Sequence, residues 1–251
     1  MNSSIHNNRR IWLLLPARTL FFLAAQVLIA LLLLLFAGVS DWQVSAGWWP
    51  LGVALADILC LFLLIRWYKQ EGKKFFDEFR LNHKTFWKDL LVMLLSLVIG
   101  GPLSVLPNIL LSTWLFGDPE AALPLFVGTL PLWAVVVALV LFPLGQALTE
   151  IPMYMRYIAP RLEAKTNQNP GLKPWLAVGL VSLFLSLQHI TAPLVFDTRF
   201  ILWRALMYLP FAIYVGILIR WRPRLLPFIA TIHWMMNLSF VFMYLIPNIA
   251  R

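Results

Sequence analysis

Five side chains stand where their chemistry is expensive. Asp57, Glu150, His189, His233 and Asn237 each interrupt a long apolar run. Ionisable groups at bilayer depth are costly, so each marks a candidate functional site. Glu150 lies in Ala147-Leu148-Thr149-Glu150-Ile151-Pro152. The proline disturbs a helix there and frees a backbone carbonyl. A carboxylate buried at such a place is a candidate general acid or base; the alternative is a carboxylate paired with a nearby base for packing. His233 and Asn237, four apart, share one face of a helix. Both can donate to a developing oxyanion, and the imidazole can instead bind a metal. His189, in Leu185-Ser186-Leu187-Gln188-His189, reads by itself as a structural histidine. Asp57 can pair with a histidine or hold a packing contact between helices. Cys60 is the single cysteine, which excludes an intramolecular disulfide or a thiol metal cluster built from this chain alone. Inside an apolar run it reads as a small buried residue rather than a nucleophile.

The elements that must position these groups follow from composition. Apolar residues make up 61% of the 251 residues and charged residues 12%, against about 45–50% and 25% in soluble domains. That excludes a soluble globular domain and a disordered chain. It predicts an all-α, polytopic transmembrane helix bundle, since a span needs about 20 mostly apolar residues. Seven spans are expected at 12–38, 46–67, 90–115, 124–148, 174–192, 200–219 and 225–247, with six to eight as the range. The fourth run keeps its helical pattern through Glu150 towards Arg161. The run from Thr19 to Val39 is longer than the apolar core of a signal peptide, about 7–15 residues, and reads as a retained first span. No internal repeat, low-complexity tract or soluble domain is visible. Residues 1–123 form the N-terminal spans, and 124–251 carry the candidate chemistry.

The net charge of +9 has an explanation in topology. With the N-terminus in the cytoplasm, 17 of the 20 Lys and Arg fall on the cytoplasmic side, counting Arg18 with the N-terminal tail, as the positive-inside rule expects. No nucleic-acid partner is needed. The opposite side holds Arg199, Arg204 and Arg251, with Arg204 snorkelling to the interface, and loops bearing Asp41, Asp118 and Glu120. Ten tryptophans, Trp67 and Trp203 among them, fall near span ends as an interfacial belt. Between Lys69 and Lys88, Phe75, Phe76 and Phe79 interleave with charges. This predicts a helix on the cytoplasmic face with its aromatics dipped into lipid. At 1.5 Å per residue, Glu150 lies about 16 Å from Arg161, His233 about 13 Å from Arg224 and His189 about 21 Å from Trp175. All three groups can meet near mid-membrane.

Taken in order, these residues resemble the CPBP family of intramembrane proteases, which includes CAAX prenyl proteases and bacteriocin-processing or immunity (ABI-type) proteins. That family carries E-E-x-x-x-R, F-x-x-x-H and H-x-x-x-N/D. The resemblance covers roughly residues 125–240. With Pro160-Arg161-Leu162 as anchor, Glu150 falls on the first glutamate, Ile151 replaces the second, and Arg156 stands one place late, after Met155. Leu185 replaces the phenylalanine, whereas His189, His233 and Asn237 are kept. The resemblance implies a bacterial plasma-membrane endopeptidase acting on a peptide or protein substrate near the cytoplasmic side. Glu150 and His189 would activate water, and His233 and Asn237 would hold the oxyanion. No cofactor is otherwise implied. If a metal is bound, zinc on Glu150, His189 and His233 is the candidate set. The altered first motif keeps open a non-proteolytic immunity or scaffold protein, and the ionisable set of Asp57, Glu150 and the histidines keeps open a transporter or proton relay. Oligomeric state is not legible.

Overall fold

The computed structural model describes residues 8–164 and 171–250. Lys165 and Arg251, counted above in the charge distribution, lie outside the described residues. Seven helices are long and apolar enough to cross a membrane: α1 (Ala17–Ala37), α2 (Trp49–Gln70), α3 (Phe86–Phe116), α4 (Leu132–Glu163), α5 (Pro174–Thr191), α6 (Thr198–Trp221) and α7 (Pro223–Asn248). No strand occurs among the described residues beyond an isolated bridge between Leu130 and Ile249. The chain is therefore an all-α, multi-pass helical bundle. Leu35, Phe36 and Val98 are exposed on its outside, a surface suited to lipid rather than water.

Boundaries differ from the expected ones where local chemistry intervenes. The first span splits, with a separate short helix Asn8–Leu14 before α1. The fourth begins at Leu132, because Leu123–Leu125 forms only a 3-10 turn and Pro131 precedes the helix. It does continue past Glu150, and its backbone widens to a π-helix over Pro152–Ile158. That register absorbs the missing N–H and the ring of Pro152 without breaking the helix. Glu150 is thereby held in a continuous helix. α6 starts on Asp197, whose side chain accepts the Phe200 N–H at 3.0 Å, an N-cap.

α2 packs along α4, and α7 packs against α4 on another side. The α2–α4 contact is close because position 145 is glycine. A Cβ there would stand 2.9 Å from the Asp57 Cβ.

The connector between α2 and α3 corrects one expectation. It is not an amphipathic helix but a single 3-10 turn, Phe75–Phe79. Phe75 is buried against Tyr68 while Phe76 is exposed. The acids that would have made a solvated face are used as clamps. Arg156 Nε donates to Glu78 at 2.8 Å, and Arg161 bonds Glu71. Burial works to raise the Glu71 pKa, but the Arg161 hydrogen bonds and charge outweigh it and hold the carboxyl below its usual range. Trp67 and Trp203 lie near helix ends but are packed inside the protein rather than presented to lipid.

Candidate functional site

Four groups predicted from sequence stand on three helices around one cavity. Glu150 is on α4, His189 in the 3-10 turn Gln188–Thr191 that ends α5, and His233 and Asn237 on α7. The Glu150 carboxylate is 3% exposed and lies between the two imidazoles. Its Oε1 is 3.5 Å from His189 Nε2, and its Oε2 is 3.2 Å from His233 Nε2. His189 Nδ1 faces the carbonyl oxygens of Leu185 and Ser186 at 3.0 and 3.2 Å. Two acceptors there require Nδ1 to carry the hydrogen, so Nε2 of the neutral ring presents its lone pair to the carboxylate side. His233 Nδ1 is buried and has no partner among the described residues. Asn237 shares the cavity with His233, but its Nδ2 donates to the His233 carbonyl at 3.0 Å. A primary amide has two N–H donors, and one remains for a ligand.

A buried polar platform that sequence reasoning missed supports Glu150 from behind. Gln188 Nε2 donates to Glu150 Oε1 at 2.6 Å. Arg18 Nε in turn donates to Gln188 Oε1 at 2.7 Å and fixes which way that amide faces. Arg18 Nη1 also reaches Thr149 Oγ1 at 2.6 Å and Asp57 Oδ1 at 2.7 Å. Asp57 accepts further bonds from Thr149 Oγ1 at 2.8 Å and Gln146 Nε2 at 3.0 Å. Arg18 and Asp57 are both wholly buried. Two expectations are corrected here. Arg18 does not belong to the cytoplasmic tail; it sits in the first turn of α1. Asp57 pairs with that arginine and not with a histidine. The available signal was an arginine abutting an apolar run next to an acid in the following one.

Arg204 is a third correction. It does not snorkel outward but is 3% exposed, with Nε donating to the His189 carbonyl at 3.1 Å and Nη2 to that of Ala192. It cannot reach an interface because Trp49, Phe126, Phe200 and Trp203 surround its guanidinium. One turn on, Tyr208 packs on the His189 ring with centroids 4.4 Å apart. Cys60 is buried and free, as a packing residue would be.

The cavity has a volume of about 710 Å³ and Glu150, His189, His233 and Asn237 in its wall. The same wall runs past Arg204 to Glu120 in the loop between α3 and α4. Val105 of α3 and Met243 of α7 line it while remaining exposed. The cavity thus extends from Glu150 towards the acid-bearing end of the bundle.

The arrangement can move a proton between a water, a carboxylate and an imidazole, and can offer N–H donors to an oxyanion. The zinc set fits less well. Glu150, His189 and His233 meet pairwise on the carboxylate, yet among the described residues no group of three His, Cys, Asp or Glu converges as a metal site. A metal-binding histidine also normally donates its second ring N–H to a partner, and His233 Nδ1 has none among the described residues. No protein-family model, no curated protein and no solved structure matches this chain.

Proposed function

We propose that the chain is an intramembrane endopeptidase of the CPBP type, resident in a bacterial plasma membrane, that cleaves a peptide or protein substrate within its cavity. The observation that carries this reading is the buried Glu150 carboxylate between His189 and His233, 3.5 and 3.2 Å away, in the wall of a cavity of about 710 Å³. Glu150, helped by His189, takes a proton from a water. The water oxygen bonds to the scissile carbonyl carbon, and the carbonyl electron pair moves onto oxygen. His233 and Asn237 stabilise that oxyanion by donating to it. The proton passes to the amide nitrogen, the C–N bond breaks, and a carboxylic acid and an amine leave. The π-helix at Pro152–Ile158 falls in the same interval as the displaced Arg156, which supports reading that segment as a divergent form of the family's first motif.

The test compares peptide termini in membranes carrying wild type or Glu150→Gln at equal abundance, in the native host. Specific new termini should be present with wild type and vanish with the variant, and the lost termini name the substrates. Matching profiles for wild type, Glu150→Gln and His233→Ala would refute hydrolysis and favour a non-proteolytic contact protein.

A further inference from the structure

Arg204 carries a charge for which the described chain supplies no ion-pair partner. Two of its nitrogens cap the carbonyls of His189 and Ala192 at the end of α5. Nη1 makes no hydrogen bond among the described residues and is not closed off from the cavity that Arg204 lines. The Trp49 ring lies 5.8 Å from the guanidinium in the same wall, while its Nε1 is buried away from the cavity with no partner among the described residues. The near partners of Arg204 are two carbonyls and four aromatic rings, none of them an anion, and a buried charge without a counter-ion in contact is expensive. An unused cationic donor in the wall of a cavity matches an acceptor-rich anion in sign. Arg204 touches the backbone of His189, so that anion lies beside the reacting groups, while the Glu150 carboxylate stands across the His189 ring.

We infer that Arg204 forms a subsite for a substrate carboxylate, contributed by an acidic side chain or by a chain terminus. This rests on reading the cavity as a peptide site, and it adds a selection rule: the apolar peptide that enters must bring a negative group. Phosphate headgroups fit poorly, because the subsite sits inside the bundle beside His189 rather than at a rim. Arg204 then serves twice, as a cap that holds His189 in place and as the counter-charge that selects substrate.

The experiment measures binding, not cleavage, on the full-length Glu150→Gln variant in nanodiscs. The probes are three acetylated Leu/Ala octapeptides bearing an uncharged dye. One has a central Asp and an amidated end, one a central Asn and an amidated end, and one a central Asn and a free carboxyl end. At least one anionic peptide should bind at least about thirtyfold more tightly than the neutral one, the scale of a desolvated charge pair. Which anionic peptide wins identifies the source of the carboxylate. Arg204→Gln should abolish the preference, and Arg204→Lys should retain part of it. Where Arg204→Gln fails to fold, the Asp-against-Asn comparison on the folded Glu150→Gln protein and its reduction in Arg204→Lys decide the matter. Equal binding of all three peptides, no binding of either anionic one, or a preference that survives Arg204→Gln overturns the inference. Acid-selective binding by a protein that yields no new termini would refute the protease and leave the subsite standing.

Discussion

Replacing Arg18 by leucine should damage the protein more than any other single change in α1. The side chain is wholly buried and serves Gln188, Thr149 and Asp57 at 2.7, 2.6 and 2.7 Å. Without it, Asp57 keeps only Thr149 and Gln146, and the Gln188 oxygen loses its donor. Removing one partner of a buried pair costs about 3–5 kcal/mol, and an orphaned amide oxygen adds about 1–3 kcal/mol. The two losses overlap in one network, so about 4–6 kcal/mol is expected. The companion change Asp57→Leu removes the stranded carboxylate. The double variant Arg18→Leu/Asp57→Leu should therefore recover about 2 kcal/mol or more relative to Arg18→Leu. Reversible unfolding in mixed micelles, followed by tryptophan fluorescence, measures all four members of this cycle. The network reading is refuted if Arg18→Leu lies within about 1 kcal/mol of wild type, or if the double variant is no more stable than the single one. The double variant should still lose activity, since Gln188 no longer has a donor to hold the amide that orients Glu150.

Three further outcomes follow from the geometry. Gly145→Ala forces a Cβ to within 2.9 Å of the Asp57 Cβ, and overpacking of this kind should cost about 1–3 kcal/mol in the same unfolding assay. Asp197→Ala removes the α6 cap and should cost about 1 kcal/mol. The Phe200 N–H holds the Asp197 carboxyl below its usual range against a smaller opposing effect of burial. The cap therefore contributes fully above about pH 4 and is lost as pH falls through the lowered folded value. An unfolding-versus-pH series should show Asp197→Asn lacking that acid limb. Finally, cleavage should survive a strong chelator; loss of the new termini on chelation, restored by zinc, would recast Glu150, His189 and His233 as a metal centre.

Much of this architecture was legible because hydropathy is local. Lipid demands long apolar runs, and the seven runs became the seven helices within a few residues at most ends. The convergence of Glu150, His189 and His233 was also legible, because helical rise converts sequence distance into depth. What failed depends on pairing across the chain. Arg18 looked like a flank of the first span, and only its distance to Asp57 on α2 shows that it is interior. Arg204 was assigned to the interface from its position near a span end, whereas the aromatic wall around it comes from α2, α6 and the loop before α4. The interleaved phenylalanines of the connector carried a helical spacing that the two clamps to α4 override. Asn237 illustrates a finer limit. Its spacing placed it on the correct face, but the bond it makes to the carbonyl of His233 depends on rotamer choice, which spacing does not encode.

The Arg18 platform has a consequence for how the protein is made. Synthesis delivers α1 to the membrane with a guanidinium in its first turn and no carboxylate yet available. A lone arginine near a helix end rests most cheaply among the headgroups, so the newborn α1 stands shallow. It can sink to its final depth once α2 brings Asp57, and the hairpin of α1 and α2 is the earliest intermediate whose buried charges cancel. Thr149 and Gln188 arrive only with α4 and α5. Glu150 itself arrives with α4 and is oriented one span later, when the amide of α5 docks onto an arginine that has waited since the first; His233 and Asn237 complete the site last, with α7.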